Sequence, residues 1–177
     1  ISQTVSAIHA GGAMSCIEII NFIYFFLMKK NNKNFLDTFI MSKGNSCIAQ
    51  YVILKKLNIL KKKDLDNYCK KNGILGCHPD YGVPGIEAST GSLGHGMGLA
   101  CGIAHAHKIN KNNRMVYVIL SDGELQEGST WESMMMAANL NLDNLIVFLD
   151  HNGSQSFGST KETHPKFYPI KKKNYRF

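Results

Sequence analysis

Two short, apolar runs bracket a stretch of helical periodicity in the second half of the chain. Met115–Leu120 and Leu145–Leu149 contain only apolar and aromatic residues, the pattern of parallel strands buried on both faces. Between them, Ser129 and Glu132 fit a helix-starting capping box, and apolar residues recur at helical spacing as far as Asn141. Strand, helix and strand within about 35 residues predict a βαβ unit. The chain is therefore expected to fold as an α/β domain, with a parallel sheet flanked by helices.

The first half of the chain predicts helices followed by a long glycine-rich loop. Three helices are indicated by apolar spacing and composition: Ile17–Met28, Ser46–Leu57 and Asp64–Lys71. The first is apolar almost all round, which is typical of a buried helix, and it follows a break at Gly11 and Gly12. Glycines and prolines then punctuate Gly73–Gly98, which predicts a loop that a ligand can approach closely.

Composition narrows the class of protein. The 177 residues allow one domain, and 44% hydrophobic with 19% charged residues exclude a wholly disordered chain. The most apolar window, Ile17–Met28, is shorter than the roughly 20 residues that a spanning helix needs, so no membrane span and no membrane partner are expected. The net charge of +7 comes from 18 Lys and only 2 Arg. Because Arg performs most bidentate base and phosphate recognition, nucleic-acid binding is not expected.

The five cysteines give information about the compartment. They are odd in number and include no Cys-x-x-Cys pair, so neither a disulfide framework nor a zinc knuckle fits. Scattered thiols indicate a reducing environment, and a cytoplasmic location is therefore expected.

Polar residues directly follow each predicted strand. The first strand leads into Asp122 and Gly123, and the second leads into Asn152 and Gly153. Because the carboxyl ends of parallel strands meet at one edge of a sheet, these residues are expected to lie close together, where α/β proteins bind ligands. A carboxylate and an amide oxygen suit Mg²⁺ or Ca²⁺, and Gly123 lets an anionic group approach the main chain. Taken separately, both pairs are also ordinary turn dipeptides.

The order of these residues carries a family resemblance. Asp-Gly, 28 intervening residues and Asn, set across strand, helix and strand, resemble the thiamine diphosphate motif. Five blocks, in the family's order, resemble transketolases: His9–Gly12, Phe39–Gly44, Gly76–Pro79, Gly91–Gly96 and Asp122–Gly128. The resemblance covers residues 5–170. It implies the diphosphate-binding α/β fold of that family, as a single domain over residues 1–177 that is truncated at its carboxyl end.

The resemblance implies two cofactors, thiamine diphosphate and Mg²⁺ (or Ca²⁺). The metal would be held by the side chains of Asp122 and Asn152 and by the carbonyl of Ser154. Gly91 and Leu93 would contact the aminopyrimidine ring, and Gly123 would contact the diphosphate through its main chain. The full set of implied cofactor contacts is Asn45, Gly91, Ser92, Leu93, Gly123, Glu124 and Asn152.

Catalytic roles are implied for His9, His78 and Glu127. The two histidines match family residues that face the reacting ketose, where they donate hydrogen bonds or move protons. Glu127 matches a glutamate at the contact with the partner domain, within a hydrogen-bonded acid network. From the residues alone, each histidine is more typical of a loop or a core, and Glu127 is an acid favoured near a helix start.

The chain departs from the family pattern at two residues and in its extent. Ser121 replaces the glycine that usually precedes Asp-Gly. Asn45 stands where the family has a histidine, and because Asn does not titrate near neutral pH, substrate choice or activity itself is expected to differ. The pyrimidine-binding domain, which supplies the glutamate that activates the cofactor, has no counterpart in these 177 residues.

The resemblance as a whole implies transfer of a two-carbon ketol unit between a ketose and an aldose, with sugar phosphates as substrates. The chain would be the diphosphate-binding subunit of a split transketolase, in a homo- or hetero-oligomer that includes a pyrimidine-binding C-terminal subunit. Two alternatives stay open. One is another thiamine diphosphate enzyme, such as a deoxyxylulose phosphate synthase or a dehydrogenase subunit; the other is a non-catalytic cofactor-binding or assembly protein. NAD binding is disfavoured because Gly94, Gly96 and Gly98 do not match the dinucleotide spacing.

Overall fold

A computed structural model describes residues 9–31 and 34–165 of the chain; the basic segment Lys171–Phe177 lies outside the described residues. The helices are α1 (Ala10–Phe22), α2 (Cys47–Lys56), α3 (Lys62–Asp66), α4 (His95–Ile109), α5 (Gly128–Asn139) and α6 (Thr160–Thr163). The strands are β1 (Lys30–Asn31), β2 (Asn34–Phe35), β3 (Thr38–Met41), β4 (Val116–Ser121), β5 (Leu145–Asp150), β6 (Ser154–Gln155) and β7 (Gly158–Ser159). A π-helical turn, Ile23–Leu27, continues α1, and 3-10 turns cover Gly44–Ser46 and Asp122–Gln126.

The central sheet is parallel and has the strand order β3-β4-β5. β4 and β5 pair in register from Val116 opposite Leu145 to Ser121 opposite Asp150. The predicted βαβ unit is therefore confirmed, with α5 in the crossover. β3, which pairs with β4 on its other side, was not predicted as a strand. The pairs β1-β2 and β6-β7 are short and antiparallel.

Apolar clusters cover both faces of this sheet. Tyr117 and Ile119 of β4 belong to the cluster that includes α1 and α2, while Val116, Val118 and Leu120 belong to the cluster that includes α4. Because successive side chains of a strand point to opposite faces, β4 can be buried on both sides only if helices cover both. This confirms the predicted α/β class, a parallel sheet flanked by helices.

The first helix begins earlier than the sequence indicated. The predicted break at Gly11 and Gly12 was wrong, because α1 begins at Ala10 and runs through both glycines. A Cβ at Gly12 would lie 2.9 Å from the Oγ atom of Ser46. The glycine therefore permits a close approach between α1 and the turn before α2, and does not end a helix.

Together, α1 and its π-helical turn form one helix, Ala10–Leu27. By length and composition alone this helix is long enough to cross a membrane, whereas the shorter window taken from the sequence was not. A single helix of this kind does not indicate a membrane span by itself, because a core helix or an N-terminal signal sequence has the same length and apolar composition. In this fold Cys16, Ile20 and Ile23 are fully buried in the core.

The βαβ unit differs from prediction at its last strand. β5 was expected to be buried on both faces, but Ile146 is 36% and Val147 37% exposed. Within the described residues β5 pairs with β4 alone, which leaves its outer edge uncovered.

The predicted capping box at the start of α5 was also wrong. The side chain of Ser129 does not cap the helix, and its hydroxyl donates to the Gly94 carbonyl at 3.1 Å. A capping box does form nearby, between Ser121 and Glu124 at the 3-10 turn that follows β4. The side-chain cap therefore stabilises the turn after β4 and not the start of α5.

Candidate functional site

The ends of the three parallel strands converge at one edge of the sheet. Ser121, at the end of β4, lies opposite Asp150, at the end of β5. Beyond this last pair, the amide of Gly153 donates to Oδ2 of Asp122 at 3.0 Å. Asp122 and the turn that contains Asn152 are thus joined directly, as the sequence argument expected for two adjacent parallel strands.

The residues predicted as metal ligands offer hard oxygen donors at this edge. Asp122 is 1% exposed, and its Oδ1 accepts from the Gly123 amide at 2.9 Å. The side chain of Asn152 is exposed, and its Oδ1 accepts from the amide of Ser154 at 2.8 Å. One carboxylate, an amide oxygen and main-chain carbonyls form the kind of donor set that Mg²⁺ binds.

Asp122 is the single acidic side chain among these predicted ligands. Within residues 9–31 and 34–165, no group of three or more His, Cys, Asp or Glu side chains is placed to hold a metal ion. Mg²⁺ commonly binds through one or two carboxylates together with phosphate oxygens. The residues at this edge therefore fit a cation that arrives with an anionic ligand, and they do not fit an all-protein cage.

Gly123 leaves room for such an anionic ligand beside Asp122. An added Cβ at Gly123 would meet nothing closer than 3.9 Å, and the atoms at that distance belong to Leu93, Ser121 and Gln155. The predicted diphosphate contact and the predicted ring contact at Leu93 therefore lie side by side. The open space above a main-chain amide is what close approach of a phosphate group requires.

The loop before α4 is pinned against the end of β3. A Cβ at Gly44 would lie 2.9 Å from the Thr90 carbonyl oxygen and 3.0 Å from the Gly91 nitrogen. The hydroxyl of Thr90 also donates to the Met41 carbonyl at 2.5 Å. These contacts hold Gly91, Ser92 and Leu93 at the same edge as the strand ends. Ser92 and Leu93 are exposed there.

His78 packs against this loop. A Cβ at Gly91 would lie 3.2 Å from Cδ2 of the His78 ring, so a side chain at this position would push the ring back by a few tenths of an ångström. The His78 carbonyl accepts from the Tyr51 hydroxyl at 2.9 Å, and Nδ1 lies 3.3 Å from the Cys77 thiol. Nearby, burial raises the pKa of the Cys47 thiol to about 12, which keeps that sulfur in its weakly reactive thiol form.

The two remaining predicted residues of the first half lie around the start of α1. His9 occupies the N-cap position of α1 and is exposed, and its carbonyl accepts from the Ala13 amide at 3.1 Å. Asn45 is half-buried in the turn before α2, where its amide nitrogen would lie 4.0 Å from a Cβ at Gly12. Both therefore lie beside the glycine pair at which α1 approaches the turn before α2.

Glu127 and Glu124 differ in orientation although they are close in sequence. Glu127 is exposed, and its Cβ would lie 2.6 Å from a Cβ at Gly94. Glu124 is fully buried. Its carboxylate accepts from the Ser42 hydroxyl, the Gly94 amide at 3.0 Å and the Ser121 amide at 2.9 Å. Any contact of Glu124 with a cofactor must therefore come from its main chain.

Sequence reasoning missed one buried charged pair at this edge. Lys43 and Asp150 form an ion pair with side chains 2% and 6% exposed. A lysine within an otherwise apolar and small-residue block, Phe39–Gly44, was the available signal. Its acidic partner lies 107 positions away, and the single sequence did not identify it.

Comparisons with known proteins show the family to which this chain is related. Residues 1–175 match the family described as transketolase, thiamine diphosphate binding domain. An apulose-4-phosphate transketolase subunit from Phocaeicola vulgatus is 38% identical over 158 residues, which are 87% of this chain and 56% of that protein. The 6-deoxy-6-sulfo-D-fructose transketolase subunit SqwG from Clostridium sp. is 36% identical over 89% of this chain and 59% of its own length.

Solved structures give the same result for the fold. Transketolase from Leishmania mexicana superposes with a TM-score of 0.71 at 28% identity, over 90% of this chain and 29% of that chain. The chain thus spans just over half the length of the two curated relatives above and under a third of this solved chain.

Proposed function

Because this chain belongs to the transketolase family, as its thiamine diphosphate-binding domain, we propose that Asp122, Gly123 and Asn152 hold the diphosphate of that cofactor together with Mg²⁺. The observation that carries the proposal is the hydrogen bond from the Gly153 amide to Asp122. It joins the ends of two neighbouring strands beside a glycine with open space. The carboxylate and the amide oxygen would bind the cation, and the Gly123 main chain would face the phosphate.

The reaction proposed is transfer of a two-carbon ketol unit from a ketose phosphate to an aldose phosphate. When bound, thiamine diphosphate supplies a nucleophilic carbon and an electron sink for breaking and forming the C–C bond. His78, held against Gly91 by packing, would donate a hydrogen bond to the substrate or move a proton. His9, exposed at the start of α1, would do the same.

A second polypeptide completes the proposed enzyme. Three relatives of which this chain covers more than half are named as transketolase subunits, which supports pairing with a pyrimidine-binding partner. Glu127 is exposed and could therefore be reached by such a partner. We place the assembled oligomer in the cytoplasm, because all five cysteines are free thiols and free thiols persist in reducing compartments.

The test of this function is a Mg²⁺ titration of thiamine diphosphate binding, with the full-length protein and its partner subunit. Asp122→Ala removes the only carboxylate among the proposed ligands. We expect affinity to fall by more than the roughly 10- to 100-fold typical of changes outside the metal's own ligands. The control is Asp143→Ala, because the Asp143 side chain is 87% exposed and precedes β5, at the opposite end of that strand from the site. Parent-like binding by Asp122→Ala, in protein with an unchanged melting temperature, would show that the site is assigned wrongly.

One observation favours a second function, cofactor binding without turnover. Asn45, half-buried beside Gly12, stands where the family has a histidine, and an amide does not exchange protons near neutral pH. The same assembled protein distinguishes the two functions. Ketol transfer from ketose to aldose phosphate supports the enzyme, whereas tight cofactor binding with no sugar-phosphate product supports a non-catalytic role.

A further inference from the structure

The Lys43–Asp150 ion pair bridges the two outer strands of the sheet. Lys43 follows β3 after one residue, and Asp150 is the last residue of β5. β4 lies between these strands, so the pair crosses over its carboxyl end, next to Asp122. Both side chains are almost completely removed from water.

The pair also fixes the start of α1 to the same edge. The Lys43 ammonium donates to the Gly12 carbonyl at 3.1 Å and to the Ser15 hydroxyl at 3.4 Å. Ser15 in turn donates to Oδ2 of Asp150 at 2.5 Å. Three chain segments, two strand ends and one helix, therefore meet at a single carboxylate oxygen.

The same oxygen also determines how the Asn152 amide is turned. Nδ2 of Asn152 donates to Oδ2 of Asp150 at 3.4 Å and to the Ser15 hydroxyl at 3.2 Å. A carboxylate only accepts hydrogen bonds, so it selects the NH₂ end of an amide and excludes the oxygen end. The carbonyl oxygen of Asn152 must then face the opposite way, toward the Ser154 amide.

We propose that Asp150, with its charge balanced by Lys43, is a positioning residue that presents the Asn152 oxygen to the cation. This inference rests on the proposed function, in which Asn152 is a metal ligand. A ligand whose orientation is fixed before the cation arrives loses less conformational freedom on binding, and partners behind metal ligands typically change metal affinity about 10- to 100-fold.

If the Lys43–Asp150 pair served stability alone, any effect of its replacement would be on the melting temperature, and Mg²⁺ affinity would be unaffected. Replacing a buried ion pair by apolar residues of similar volume is often neutral for stability, whereas removing one partner alone is strongly destabilising. The informative variant therefore removes both charges. Lys43→Met/Asp150→Leu keeps the volume, and it withdraws the acceptor that orients Asn152.

The experiment measures Mg²⁺ affinity in the presence of thiamine diphosphate, with the full-length protein and its partner subunit. We expect Lys43→Met/Asp150→Leu to lose about 10- to 100-fold in affinity with little change in melting temperature. Lys43→Met/Asp150→Asn restores an oxygen acceptor without the charges, so it should recover most of the loss. The matched control is Lys108→Met/Asp143→Leu, which removes a surface pair whose side chains are 42% and 87% exposed.

A second readout needs no bound cofactor. In protein labelled with ¹⁵N-asparagine, the Asn152 side-chain NH₂ signals should shift and exchange faster in the Met/Leu variant, but not in the surface-pair control. If the Met/Leu variant does not fold, Ser15→Ala, which removes the other partner of the Asn152 NH₂ group, takes its place, with the same direction of change expected.

The outcomes separate this inference from the proposed function. Parent-like Mg²⁺ affinity and unchanged Asn152 signals in the Met/Leu variant would overturn the inference, even while Asp122→Ala still abolishes binding. If the parent itself binds no Mg²⁺ with the cofactor, the proposed function fails. In that case the orienting role is decided by the Asn152 signals alone.

Discussion

At the scale of single residues, buried carboxylates organise the sheet edge. Glu124 is fully buried and uses both of its oxygens: Oε1 accepts from the Ser42 hydroxyl and the Gly94 amide, and Oε2 accepts from the Ser121 amide. The loop before α4 and the ends of β3 and β4 are therefore tied to one side chain. We interpret Glu124 as the residue that sets the distance between Asp122 and the loop before α4, which contains Leu93.

Glu124→Gln is expected to destabilise the chain by about 1–3 kcal/mol, the usual cost of a buried donor left without an acceptor. A glutamine places NH₂ at one of the two oxygen positions. In one orientation the NH₂ group faces the Gly94 amide, and in the other it faces the Ser121 amide, so a donor meets a donor either way. Urea unfolding measures the loss. Glu132→Gln, at an exposed position of α5, should change stability by no more than about 0.5 kcal/mol; equal effects of the two substitutions would contradict this role for Glu124.

The residue-level predictions from sequence succeeded where topology alone decides the contact. Asp122 and the Asn152 turn meet because parallel neighbours end at the same edge, and that follows from the βαβ pattern. Lys43 with Asp150, and Ser42 with Glu124, join residues 107 and 82 positions apart. Those contacts depend on β3 lying beside β4, and β3 was not predicted as a strand. The metal, cofactor and catalytic roles stay predictions.

At the scale of elements, glycine allows α4 to approach the sheet. A Cβ at Gly96 would lie 2.3 Å from the Oγ atom of Ser42 and 2.6 Å from its Cα atom, so the obstruction includes main chain. The first turn of α4 therefore rests directly on the end of β3. The sequence predicted that Gly96 lies in a loop, because the glycines of Gly91–Gly98 obscured the helical pattern. In the structure, α4 begins at His95.

Gly96→Ala should destabilise the domain by about 1–3 kcal/mol, the range for overpacked contacts, although alanine is the better helix former. Gly102→Ala, in the same helix with nothing within 4 Å of its added Cβ, is the matched control. It should stabilise by up to about 1 kcal/mol through helix propensity alone. Thermal or urea unfolding of the pair gives the answer, and two changes of the same sign would show that α4 does not rest on Ser42 in this way.

At the scale of the whole molecule, α1 and the edge strand β5 are two of several places at which the described residues expose apolar surface. On α1 and its continuation, Met14, Phe22 and Phe26 are 71%, 48% and 73% exposed. At the other place, Ile146 and Val147 lie on the outer edge of β5. Adjacent strand residues face opposite sides of a sheet, so partial exposure of both means that neither face is fully covered at this edge by the described residues. Natural proteins seldom leave the edge strand of a sheet unprotected, because its unpaired main-chain groups can pair with a strand of another chain.

The isolated 177-residue chain is therefore expected to self-associate through β5. Val147→Lys places a charge on the exposed edge, which natural sheets use to prevent pairing, and it should shift sedimentation velocity profiles toward the monomer across a concentration series. The control is Val52→Lys, because Val52 is more exposed, at 46%, but lies on α2, away from any strand edge. If both lysines reduce association equally, general charge repulsion is the cause. If neither does, the edge of β5 is not the contact, and the apolar face of α1 becomes the surface to substitute next.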